Sequence, residues 1–145
     1  MKRYIFYVLL AIAVIGFSCS KGGDAGGNDD GGGPHIVSPN DVTAPVIVIN
    51  TPIANQVFSN GNSISITGRL TDDLGLYNGS IRITNDANGE VVKQQLYEIH
   101  GLLSYDFNIS HIASVTAVSN YTVTVTFQDH GLNTTTQAVK IKVNP

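Results

Sequence analysis

The chain has 145 residues, 13% of them charged, with one cysteine and no tryptophan. This length leaves room for one domain. The formal net charge of −3 argues against a nucleic-acid partner, because phosphates are neutralised by clustered Lys and Arg. A lone cysteine excludes an intramolecular disulfide, so an apolar core must hold the domain together.

The first residues have the pattern of an export signal. Lys2 and Arg3 precede an apolar run over residues 4–17, and Cys19 follows at its end. A run of this length is typical of a signal-peptide core and is shorter than the roughly twenty residues that span a bilayer. We therefore expect residues 1–18 to be a cleaved signal peptide.

Residues 16–20 read Gly-Phe-Ser-Cys-Ser and resemble a lipobox, the motif whose cysteine is acylated and becomes the mature N-terminus. The usual motif has Leu at the place of Gly16 and a small residue at the place of Phe17. The looser form is similar to that of Bacteroidota lipoproteins. The resemblance implies attachment through lipid on Cys19 to the bacterial outer membrane, in the periplasm or on the cell surface. An ordinary secretory signal with an incidental cysteine is the alternative.

Residues 20–40 predict a flexible tether. They contain seven glycines and three aspartates and show no apolar periodicity. Such a segment cannot bury enough apolar surface to offset its ordering entropy. A flexible coil of this length spans roughly 25 Å. The predicted organisation is a signal peptide (1–18), an acylated Cys with its Gly/Asp-rich linker (19–40) and a folded domain (41–145).

From residue 41 onward, apolar and polar side chains alternate with period two, which is typical of half-buried β-strands. A helical period is not sustained anywhere in this part, and residues 111–118 are expected to cross between sheets. The pattern predicts an all-β fold, a seven-stranded Greek-key immunoglobulin-like β-sandwich. The predicted strands cover residues 45–49, 63–70, 80–84, 91–96, 103–109, 121–128 and 139–143.

Three segments resemble bacterial immunoglobulin-like (cadherin/fibronectin-III-like) domains: residues 41–47 at the start, the turn 71–76 and the last hairpin, 120–135. In this respect the chain is similar to Bacteroidota lipoproteins that carry a single domain of this kind. Val123 stands where antibody domains have their second cysteine. The resemblance implies that Tyr121 occupies the tyrosine corner, where the hydroxyl ties the crossover to the strand.

Signatures of enzymes are missing from the sequence. It contains no Gly-x-Ser-x-Gly, phosphate loop, dinucleotide fingerprint or His-Glu-x-x-His. The four histidines share no metal-ligand spacing. We therefore expect no catalytic residues and a protein that is not an enzyme.

The form Asp-x-Gly-Leu occurs twice, at residues 73–76 and 129–132, each time at a predicted strand end. In a seven-strand sandwich these turns and the start of the first strand share one pole. Carboxylates and turn carbonyls are ligands that Ca²⁺ prefers. The candidate ligands are Asp41, Asp72, Asp73 and Asp129.

A turn cap is the alternative reading of these aspartates, and we favour it. Each carboxylate would accept backbone N–H bonds in its own turn, with Gly75 and Gly131 supplying positive φ angles. On this reading no metal and no other cofactor is expected.

A glycan-binding surface would need exposed aromatic rings, and Tyr77, Tyr97 and Phe58 are the candidates. Tyr77 together with Asn78 is the best single contact. The sequence therefore predicts a non-enzymatic envelope lipoprotein whose domain is a binding or accessory module for a protein or a glycan. The alternative is a structural spacer or scaffold with no specific ligand.

Overall fold

The computed structural model describes residues 36–145 as two β-sheets packed face to face, which confirms the predicted all-β sandwich. Cys19, the predicted signal peptide and the linker up to His35 lie outside the described residues. Residues 36–145 form no helix that is long and apolar enough to cross a membrane. The strands are β1 (Val46–Thr51), β2 (Gln56–Ser59), β3 (Ser63–Thr71), β4 (Leu76–Asn85), β5 (Val91–Glu98), β6 (Ser104–Ile112), β7 (Ser119–Asp129) and β8 (Thr134–Asn144).

The described residues form eight strands rather than the predicted seven, because β2 was missed. This strand has four residues and pairs in parallel with the end of β8. Asn55 and Asn60 flank it, and the alternation of its burial extends over two periods only. A pattern this short is not distinguishable from a loop, and its pairing partner lies far away in sequence.

The first sheet has the strand order β1-β3-β6, and the second has the order β2-β8-β7-β4-β5. All pairings are antiparallel except that of β2 with β8. The crossover from the first sheet to the second is shorter than predicted, because β6 continues through His111 to Ile112. The link from β6 to β7 is therefore residues 113–118.

The alternating apolar side chains meet between the sheets, where Phe107 and Phe127 are the largest fully buried rings. Gly79 in β4 lies opposite Phe127 in β7, and a Cβ on this glycine would collide with the Phe127 ring. The Tyr97 ring covers the same place from β5, with its centroid 5.5 Å from that of Phe127. Burial of this apolar surface, at about 25 cal/mol per Å², is the main force that holds the domain together.

Tyr121 lies at the start of β7 as predicted, and its ring belongs to the core with 7% of the residue exposed. Its neighbours in a shallow depression include Val115 and Ala117 of the crossover. The hydrogen bond of its hydroxyl stays a prediction.

The strand directions give the sandwich two ends. We call the end where residue 36 enters the N-terminal pole. There Ser38 N donates to His130 O (2.9 Å), and His130 N donates to Gly75 O (3.1 Å). Loops from distant parts of the chain are thus held together at this end. The N-terminal pole comprises residues 36–45, 72–75, 99–103 and 130–133, and the opposite, distal pole comprises residues 60–62, 86–90 and 113–118.

Candidate functional site

The N-terminal pole brings three of the predicted aspartates together. One carboxylate oxygen from each of Asp41, Asp72 and Asp73 lies within 4.8 Å of the other two. Asp41 is buried, with 3% of the residue exposed, and neither of its carboxylate oxygens has a hydrogen-bond partner. Buried carboxylates ordinarily have partners, so this group is unusual.

Asp72 combines a turn cap with an open ligand position. Its Oδ2 accepts hydrogen bonds from the backbone N–H groups of Leu74 (3.1 Å) and Gly75 (2.6 Å). This is the Asx turn that the sequence predicts. Its Oδ1 is buried without a hydrogen-bond partner. Asp73 is exposed at the solvent side of the same cluster.

Asp129 differs from the other three aspartates. It is fully buried, and its Oδ1 accepts a hydrogen bond from Asn133 N (2.8 Å). Its Oδ2 accepts a second bond from Asn133 Nδ2 (2.9 Å). Both oxygens are therefore engaged within the β7–β8 turn, as in a turn cap, and Asp129 is not among the carboxylates that lie within 4.8 Å of one another.

The predicted positive φ angle is found at Gly75 (135°), but the prediction for Gly131 was wrong. In the β7–β8 turn it is Leu132 that has the left-handed conformation, with φ at 68°. Gly131 is required for a different reason: a Cβ there would collide with the carbonyl oxygen and Cβ of Asp41. The glycine therefore lets the Asp41 segment pack tightly against the turn.

The electrostatics of the cluster are repulsive. Burial raises the pKa of Asp41, and the negative charges of Asp129, Asp72 and Asp73 raise it further. The backbone N–H of Thr43 acts in the opposite direction, although it does not meet hydrogen-bond geometry with either Asp41 oxygen. The dominant effects on Asp41 thus all disfavour its charged form.

Exposed aliphatic side chains surround the acidic cluster. Val42 is 82% exposed, Leu74 is 54% exposed and Leu132 is 46% exposed. Each belongs to a different loop of the N-terminal pole, and Leu102 and Leu103 extend the set from the β5–β6 loop. Apolar side chains grouped at one end of a domain are typical of a contact surface.

A cluster of rings lies at the same pole and was not predicted. The Tyr77 ring centroid is 4.9 Å from that of His100 and 5.3 Å from that of His130, and the two histidines are 5.8 Å apart. The Nδ1 atom of His100 is buried without a hydrogen-bond partner. The rings come from three segments separated by more than twenty residues, so no local pattern in the sequence reveals the cluster.

The two predicted glycan contacts, Tyr77 and Asn78, are separated by the structure. Tyr77 packs in the ring cluster, whereas Asn78 lines a depression of about 420 Å³ on the second sheet. Glu98 and Gln128 contribute polar atoms to this depression, and Leu96 contributes an apolar side chain. The structure thus places a groove with both polar and apolar lining beside Asn78.

The other aromatic candidates are engaged with the core. Tyr97 packs against Phe127 and Tyr105, and burial raises its pKa to about 12, with the Tyr105 hydroxyl adding to the rise. Phe58 is half-buried and also packs against the core. These rings therefore do not form a flat platform with Tyr77.

Comparison with known proteins finds similarity in structure only. No protein-family model matches the chain, and no curated protein matches it. Among solved structures, it is similar to the fibronectin(III)-like modules of Clostridium thermocellum CbhA, with 22% identity, a TM-score of 0.42, and coverage of 69% of this chain and 46% of that one. It is also similar to Spo0M, a sporulation control protein from Bacillus subtilis, with 8% identity, a TM-score of 0.47, and coverage of 72% and 51%.

The chain spans about half the length of each of these structures. The identities are too low for the role of either protein to be transferred. The arrangement of three and five strands in two packed sheets independently places the domain in the immunoglobulin-like, fibronectin-III-like class of sandwiches.

Proposed function

We propose that the chain is a lipid-anchored protein of a bacterial cell envelope. In this proposal its sandwich is a non-enzymatic binding or accessory module, and the loops of the N-terminal pole contact a protein partner. The observation that carries the proposal is the set of exposed aliphatic side chains there, above all Val42, Leu74 and Leu132. Protein contacts bury such side chains at the centre of an interface.

The position of the tether supports a partner at the membrane. The described chain enters the sandwich at the N-terminal pole. The tether that the sequence predicts would, as a flexible coil, span roughly 25 Å. If Cys19 is acylated, the exposed aliphatic side chains stay within that reach of the lipid. A membrane-associated protein is then the partner most readily available to them.

A glycan is the less favoured ligand. Sugar recognition usually relies on an exposed ring, and Tyr77 and Tyr97 are instead packed against other rings. Among the residues that line the groove beside Asn78, Leu96 is the most exposed apolar residue, with 66% of its surface accessible. The exposed aliphatic side chains of the N-terminal pole are better suited to contact a protein than a sugar.

Site-specific photo-crosslinking in intact cells tests this proposal. A photoreactive residue is placed at Leu74 or Leu132 of the full chain, and at Ala87 on the distal pole as a control. We expect one discrete protein adduct from both N-terminal positions and none from Ala87. A second change, Val42→Asp, should weaken the adduct at Leu74, because it charges the same surface.

Other outcomes would overturn the proposal. The absence of adducts at all three positions would favour the spacer or scaffold role. An adduct that glycosidase treatment removes would identify a glycan as the ligand. Equal labelling at Ala87 and Leu74 would show that the N-terminal pole is not the contact.

A further inference from the structure

We propose that Asp41, Asp72 and Asp73 bind a divalent cation of the Ca²⁺ class at the N-terminal pole. This inference goes beyond the proposed partner binding and does not depend on it. Ca²⁺ takes oxygen ligands at about 2.3–2.6 Å, so oxygens bound to one ion lie no more than roughly 5 Å apart. The three carboxylate oxygens, all within 4.8 Å of one another, meet that limit.

The second observation is the isolation of Asp41. Its side chain is buried, with 3% of the residue exposed, yet both oxygens lack hydrogen-bond partners. Asp72 Oδ1 is buried and unpartnered in the same way. Turn capping does not explain these atoms, because the cap of this turn is Asp72 Oδ2. Buried acceptor atoms without donors are what a bound cation would satisfy.

The charges around the cluster point in the same direction. The carboxylates of Asp129, Asp72 and Asp73 act on Asp41 with charge of the same sign. A cation shared by the cluster would reverse this repulsion. In the described residues, the ion pairs of Arg69 with Asp106, of Lys140 with Asp86 and of His100 with Glu98 all involve carboxylates outside the cluster.

The donor set indicates the class of ion. All three side chains offer oxygen, which suits the hard cations Ca²⁺ and Mg²⁺ and does not suit Zn²⁺, which favours nitrogen and sulfur. Asp73 is exposed, so water has access to the remaining positions. Ca²⁺ accepts six to eight ligands in flexible geometry, whereas Mg²⁺ demands a near-ideal octahedron. A site assembled from two loops fits Ca²⁺ better.

The ion would join two parts of the pole. Asp41 lies where the chain enters the sandwich, and Asp72 and Asp73 begin the β3–β4 loop. A shared cation therefore ties the end of the tether to that loop. The exposed side chains of Val42 and Leu74 are each the immediate neighbour of a ligand, so the ion would also order the contact surface.

Calorimetric titration of the full chain with Ca²⁺ alone, after chelation with EDTA, tests the inference. We expect one site with a dissociation constant of about 10⁻⁴–10⁻³ M, the range of extracellular modules. At roughly 10 mM Ca²⁺, mass action should raise the melting temperature by about 6–20 °C. Mg²⁺ at the same concentration should give a smaller shift.

Variants assign the ligands. Asp73→Asn changes an exposed side chain, so it should fold normally and lose most of the Ca²⁺ response. Asp41→Asn should abolish the response and, in EDTA, should melt no lower than the unchanged chain. Asp106→Asn removes a carboxylate outside the cluster and should leave the response intact. The inference would be overturned if Ca²⁺ did not change the melting temperature of the unchanged chain. It would also be overturned if the Ca²⁺-dependent shift persisted in both Asp41→Asn and Asp73→Asn.

Discussion

The side-chain amide of Asn133 donates a hydrogen bond of 3.0 Å to the main-chain carbonyl oxygen of Asp41, which precedes it by 92 positions. The same Nδ2 atom donates to Asp129 Oδ2 at 2.9 Å. One amide thus joins the start of the domain to its last turn. The Asn133 side chain therefore helps to hold the N-terminal pole together.

Asn133→Ala is therefore expected to destabilise the domain by about 2–3 kcal/mol. The substitution removes two hydrogen bonds and leaves Oδ2 of the buried Asp129 carboxylate without its donor. Urea unfolding followed by circular dichroism measures the loss. Asn50→Ala, at an exposed position of β1, is the matched control and should change stability by less than about 0.5 kcal/mol. Equal effects of the two substitutions would show that the hydrogen bonds of the Asn133 amide do not stabilise the domain.

In the β7–β8 turn, substitutions at the adjacent residues Gly131 and Leu132 should have opposite effects on stability. Gly131→Ala should cost about 1–3 kcal/mol, because the new Cβ collides with Asp41. Leu132→Gly should be neutral or stabilise by up to about 1 kcal/mol, because it relieves a left-handed non-glycine residue. Melting temperatures of the two variants check this directly. A stabilising Gly131→Ala would contradict the close packing of the Asp41 segment.

The stability of the domain should depend on pH through Asp86 at the distal pole. Its Oδ1 accepts a 2.6 Å hydrogen bond from the Thr122 hydroxyl, which lowers its pKa below the ordinary value of 3.8. Lys140, 3.3 Å from Oδ2, lowers it further, whereas partial burial opposes both. A lowered pKa means that the charged form stabilises the fold above pH 3.8, and that this contribution is lost as the pH falls through the folded-state value.

Asp86→Asn should then be less stable than the unchanged chain at neutral pH, by about 1 kcal/mol. The difference should shrink towards zero in strong acid, where Asp86 is neutral in both states. Denaturant melts across the acid range measure the difference at each pH. A gap between the two proteins that stays constant down to pH 2 would be inconsistent with this account.

The lipid anchor is a separate prediction that rests on Cys19. Cys19→Ser should abolish fatty-acid labelling in cells and leave the precursor unprocessed or shed from the membrane, because serine has no thiol to acylate. Metabolic labelling with palmitate and membrane fractionation provide the measurement. Continued labelling of the Cys19→Ser chain would refute the anchor. Ser20→Ala is the control and should remain labelled.

Much of the fold was predictable from local patterns. Period-two alternation predicted every strand except β2, because a half-buried strand of six or more residues shows its buried face in its own sequence. The β2 segment is too short to show that alternation clearly, and its place is set by pairing with β8. Strand ends also shifted where the pairing partner, rather than the pattern, decided them, as at His111 in β6.

The features of the acidic site were likewise predictable only in part from the sequence. The sequence by itself determined that aspartates stand at strand ends and that the topology gathers them at one pole. Tertiary structure alone decided that Asp129 receives its hydrogen bonds from Asn133, whereas Asp41 is buried with none. Side-chain periodicity is a property of neighbouring residues, but the partners and burial of a carboxylate depend on loops that meet only after the sheets have packed.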